Sequence, residues 1–109
     1  MSPKFNFKTL DQGFQCAWPV LVPVPQDGGT IETQEFTAIF RSLSPAEEEA
    51  ATKATTNETP WAWFDARFVG LVNEELTDEL RAQMMRTAYV RTALVNAYTN
   101  FAQGIPAKN

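Results

Sequence analysis

Between Phe14 and Val24 the chain alternates without a break. Phe14, Cys16, Trp18, Val20, Val22 and Val24 share one parity, the period of a β-strand that buries one face. Pro19, Pro23 and Pro25 all fall on the other parity. Backbone N–H groups alternate in direction as side chains do, so the donors that proline lacks all belong to one edge of the strand. That edge cannot accept a full partner. Trp18 to Val24 is therefore expected to be an edge strand, blunted against pairing with other chains.

Gln26-Asp27-Gly28-Gly29 follows, a turn cluster in which glycine takes positive φ at no steric cost. A hairpin over residues 14–42 is expected. In its second half Phe36, Ala38 and Phe40 share a parity, and the loop length decides the register. A two-residue loop turns the apolar faces away from each other, whereas the three-residue loop Asp27-Gly28-Gly29 sets Val20 opposite Phe36, Trp18 opposite Ala38 and Cys16 opposite Phe40.

Ser44-Pro45-Ala46-Glu47 then reads as a helix start, with Ser44 at the cap, Pro45 in the first turn and Glu47 reaching back as in a capping box. A first helix over 45–55 is expected. Thr59-Pro60 repeats the cap-then-proline signal, and Trp61, Phe64, Phe68, Leu71 and Val72 follow at helical spacing, which predicts a second helix over 60–72. Thr77 caps a third region whose apolar pattern runs to Gly104. Taken as one helix, its 26 residues would span about 39 Å, more than the roughly 34 Å diameter of a compact chain of 109 residues. A break at Thr87 is expected, giving helices over 78–86 and 88–103. The expectation is thus a single α+β domain, residues 1–109, with an N-terminal β-hairpin followed by three to four α-helices and mostly helical.

Composition narrows the chemistry. There is no histidine and only one cysteine, Cys16, so imidazole sites and Ser-His, Cys-His or His-carboxylate pairs are excluded. No enzymatic activity, metal or cofactor is expected. The formal net charge of -4 has the wrong sign for tracking a phosphate backbone or an anionic membrane, and no apolar run reaches the ~20 residues of a spanning helix. Neither nucleic acid nor membrane is an expected partner. A lone thiol and a leading segment without an apolar run lead to the expectation of a cytoplasmic protein.

The remaining candidates are weighed by placement. Cys16 lies on the apolar parity of the first strand, where a thiol acts as a small hydrophobe. Glu47, Glu48 and Glu49 form a solvated first helical turn rather than a cation site, and Asp65 and Arg67 read as surface charges. The aromatics carry more. Trp61, Trp63, Phe64, Tyr98 and Phe101 are the candidate partner-binding residues. Trp61 and Phe64 share a helix face with Phe68 while Trp63 points elsewhere, so Trp63 either joins an exposed contact patch or packs under the hairpin. Trp63→Ala or Tyr98→Ala is expected to weaken partner capture without unfolding the chain.

Two segments carry a family resemblance. Trp18-Pro19-Val20-Leu21-Val22-Pro23-Val24-Pro25 leads through Asp27-Gly28-Gly29 to Phe36-Thr37-Ala38-Ile39-Phe40-Arg41 and Leu43-Ser44 before an acidic helix; later, Ala93-Leu94-Val95-Asn96-Ala97-Tyr98 precedes Gly104 and Lys108-Asn109. Their order and spacing resemble the tail assembly chaperones of long-tailed bacteriophages and prophages. Phe68-Val69-Gly70-Leu71-Val72 is similar to a short segment of that family, with Leu71 where a tryptophan is usual, and Thr87-Ala88 stands where many members have a proline. The resemblance implies a non-enzymatic factor of tail morphogenesis in the cytoplasm of the infected or lysogenic host. It would bind the tail tape measure protein, help recruit the tail tube protein, form homo-oligomers, and be absent from the mature virion. The competing expectation from another class is a structural virion protein, such as a tail completion or head-tail connector subunit.

Overall fold

The computed structural model describes residues 2–107; Lys108-Asn109, the close of the second resemblance segment, lies outside them. A single helical turn, α1 (Thr9–Gln12), leads into two long strands, β1 (Gln15–Gln26) and β2 (Thr30–Arg41). The strands pair antiparallel through the loop Asp27-Gly28-Gly29, with Val20 opposite Phe36, Trp18 opposite Ala38 and Cys16 opposite Phe40, the register that apolar matching requires. Gly28 and Gly29 take φ of 87° and 83°, the left-handed values the loop needs. Ser42 N donates to Phe14 O at 2.8 Å, so even-numbered residues of β1 face the ladder. Pro19, Pro23 and Pro25 accordingly turn their nitrogens to the free edge, and β1 is an edge strand of the sheet.

The chain is not mostly helical. Helices hold 41% of the described residues and strands 27%, because the expected helix over 60–72 does not form. Only α3 (Ala62–Asp65) is helical there, and it is followed by a third strand, β3 (Phe68–Leu71), giving the order β1-β2-β3. The physical reason is tertiary. Pairing with β1 leaves the second edge of β2 unsatisfied, and the ladder bonds Arg41 N to Arg67 O at 2.9 Å and Val72 N to Thr37 O at 3.0 Å fill it. Gly70 permits the close approach: a Cβ there would lie 3.3 Å from Ile39 Cδ1. A bulge opposite Ile39 and Phe40 re-aims the strand so that Phe68 enters the core, where it is fully buried. Thr59 does not cap α3; its hydroxyl donates to Ala54 O at 2.7 Å, closing the preceding helix instead.

That helix, α2 (Pro45–Ala54), carries the complete capping box of Ser44 and Glu47. Beyond β3, α4 (Asp78–Arg86) and α5 (Ala88–Gln103) are separated at Thr87. Thr77 caps α4 by accepting from Leu80 N, but Thr87 does not cap α5. Its hydroxyl donates back to Gln83 O at 2.8 Å, its extended backbone, φ -88° and ψ 105°, interrupts the helix, and the first N–H groups of α5 have no side-chain acceptor from Thr87. Gly104, at φ 71°, ends α5.

The even-numbered face of the hairpin is covered by α5, and the core forms between them. Phe40 sits at its centre with Phe64, Phe68, Tyr98 and Phe101 around it, ring centroids 5.6 to 6.3 Å away. The outline is far from the expected compact sphere: the extents are 50 × 43 × 23 Å and the radius of gyration is 15.4 Å, against about 13 Å for a compact chain of this length. The difference lies partly in the hairpin, whose distal half, Thr30–Glu35 on β2, is exposed.

Candidate binding groove

The five aromatics singled out in the sequence do come together, but mostly as interior. Phe64 is fully buried and Phe101 nearly so. Tyr98 packs edge-on against Phe40 and Phe64. Its ring is half-buried and packed against the core, so Tyr98→Ala would remove core contacts along with any surface the ring presents. Burial pushes the Tyr98 phenol above its ordinary value, with the Arg67 guanidinium opposing. Trp63 is half-buried against the core, beside Trp61 and Phe64 at 6.0 and 5.7 Å. Trp61 is covered in turn by the Arg91 guanidinium, 5.4 Å above its ring.

Asp65 and Arg67 are not the free surface charges expected. Arg67 is buried, bonded to the Glu48 carboxylate of α2 and to the Trp63 carbonyl; a guanidinium out of water persists only with such partners. Asp65 is half-buried beside Arg81 at 3.7 Å, too far for a hydrogen bond, and one of its oxygens is buried with no donor. Burial pushes its carboxyl above the ordinary value, and Arg81 only partly opposes this. Glu47 moves the other way: the Ser44 backbone and hydroxyl donors, then Arg41, hold its carboxyl low. Burial raises the Cys16 thiol, in keeping with a packing role. Among the described residues no cluster of three or more acidic or cysteine side chains could hold a metal, and no helix is long and apolar enough to cross a membrane.

A separate concavity opens beneath the hairpin. The hairpin projects beyond the helices that cover its base, and its apolar face continues outward through Val22, Val24 and Phe36. Opposite stand Leu71 and Val72 at the end of β3, Leu80 and Met84 of α4, and Tyr89 and Val90 at the start of α5. Together they enclose an open groove of about 550 Å³. Val72 and Tyr89 are 40% and 39% exposed, so its wall meets solvent. Glu35 and Glu74 also line it and make its polar part acidic. None of the five predicted aromatics lines this groove. Trp61 instead borders a separate depression of about 490 Å³ with Met85, Arg86 and Arg91. A signal for the groove was present in the sequence: the apolar parity of the first strand runs on to Val24, farther than the core needs.

Comparison of the chain with protein-family models, curated proteins and solved structures finds no match.

Proposed function

We propose that this chain is a tail assembly chaperone: it holds an apolar segment of the tape measure protein in the groove beneath the projecting hairpin, without enzymatic activity, and promotes tail tube assembly in the host cytoplasm. The observation that carries the reading is the open groove itself. Its walls are aliphatic and aromatic and its polar part is acidic, the surface chemistry that accepts the apolar stripe of an unassembled helix. The sequence segments resembling that family supply the identity of the client.

The test is co-expression with the tape measure protein of the same genome, followed by a pull-down. Val72→Asp and Tyr89→Ser change partly exposed groove residues, so each should keep the fold and weaken capture about tenfold, ~1.4 kcal/mol. Trp63→Ala, outside the groove, should leave capture unchanged. Wild-type protein that fails to hold the client, or a stoichiometric copy in purified virions, would overturn the reading.

A further inference from the structure

Of the five arginines, three stand beside carboxylates: Arg41 beside Glu47, Arg67 beside Glu48 and Arg81 beside Asp65. The other two, Arg86 and Arg91, have no carboxylate partner among the described residues, and both line the depression of about 490 Å³ that Trp61 borders. They belong to the last turn of α4 and the first turn of α5, on either side of the break at Thr87. In a chain of net charge -4, two uncompensated cations in one concavity mark a place for an anion.

Arg91 is fixed before any ligand arrives. Its Nη1 donates to Met85 O at 2.8 Å, and its guanidinium lies 5.4 Å from the centre of the Trp61 ring, which holds the planar fork in place. A guanidinium carries five N–H donors, so most remain for a ligand. Arg86 is exposed; its place at the end of α4 suits the helix dipole, which consumes none of its donors. Asp65 is the one carboxylate among the described residues that lines the depression. Arg81 stands beside it at 3.7 Å, so the positive excess of Arg86 and Arg91 remains. Pro60, Trp61, Ala62, Ala82 and Met85 supply the rest of the wall, and it is apolar.

We propose that this depression binds a peptide segment of a partner protein in which an acidic side chain lies beside an apolar one. The carboxylate takes paired N–H bonds from Arg91, with Arg86 adding charge, and the apolar side chain rests against Trp61 and Met85. The groove beneath the hairpin has the opposite character, since Glu35 and Glu74 line it, and the two concavities share no residue. An acidic segment is therefore repelled from the groove and steered to the depression. A nucleic acid fits less well. Two cations give few phosphate contacts, and the face of Trp61 that a base would stack on already carries Arg91.

The probe is a displayed library of short random peptides, selected on the full wild-type chain. Selection should enrich peptides with Asp or Glu next to Leu, Ile or Phe. Measured by fluorescence polarisation, a synthetic peptide of this class should bind Arg86→Glu and Arg91→Lys about tenfold more weakly than wild type. Arg86→Lys, which keeps the charge, should retain most of the affinity, and added salt should lower it. Should Arg91→Lys lower the melting temperature, the exposed Arg86 variants carry the test alone. Failure to enrich acidic-apolar peptides would overturn the proposal, as would an enriched peptide whose affinity Arg86→Glu leaves unchanged. Displacement of the peptide by an equal concentration of oligothymidylate would overturn it too, by assigning the site to phosphate. The proposal does not rest on the client in the groove: Val72→Asp should weaken capture of the tape measure protein and leave the acidic peptide bound, so the two readings fail separately.

Discussion

Adjacent glutamates of α2 do different work. Glu48 is bonded to the buried Arg67 guanidinium, whereas Glu49 pairs with Lys53 at 3.1 Å across open surface. Glu48→Ala strands a buried cation and should cost about 2 kcal/mol; Glu49→Ala should cost under about 0.5 kcal/mol. Urea denaturation of the two variants checks the contrast. Asp65 presents the opposite case, a carboxyl whose burial raises its pKa. A raised acid contributes stability below its unfolded value and loses it as the pH rises through the folded value. Asp65→Asn should therefore raise the melting temperature at pH 7, and the gain should vanish as the pH falls below the ordinary value of 3.8. An equal gain at both ends of that range would count against a charge-based origin. The charges of Asp65 and Arg67 were legible in the sequence, but their burial was not, since α2 and α4 supply the neighbours.

At the scale of elements, the capped starts were readable because a cap is decided by residues three or four apart. The Ser44 box and the Thr77 cap both form as their spacing requires. Thr77→Ala should thus lose about 1 kcal/mol, while Thr87→Ala, which removes no cap of α5, should lose clearly less; thermal melts of the two variants make the comparison. Residues 60–72 failed for the converse reason. Trp61, Phe64 and Phe68 satisfy helical spacing, but Phe68–Leu71 gains more from the vacant edge of β2 than from a helix containing Gly70. Local pattern had no access to that edge, because the hairpin creates it.

The whole molecule is a sheet whose base is covered by helices and whose tip is bare. Hydrogen exchange should display that gradient in dilute solution. The Arg41 amide, bonded to Arg67 O at 2.9 Å, should be protected, and the amides of Ile31, Thr33 and Glu35 should exchange rapidly. Uniform protection along β2 would mean that the distal edge is covered. The same gradient explains why the aromatic candidates moved inward. Large rings at helical spacing are drawn to the deepest part of the core, and the groove wall that meets solvent is formed by Val72 and Tyr89, where three elements diverge.

Strand alternation, the proline-blunted edge, the loop length with its register, the helix caps at Ser44 and Thr77 and the break at Thr87 were determined by the sequence alone. Each is settled by neighbours a few residues away, or by matching two adjacent apolar faces. The third strand, the burial of Arg67 and the groove were decided only in the tertiary structure. Each depends on segments far apart in the chain meeting: β3 on an edge left by β1, Arg67 on Glu48 of α2, and the groove on a hairpin that outruns the helices beneath it.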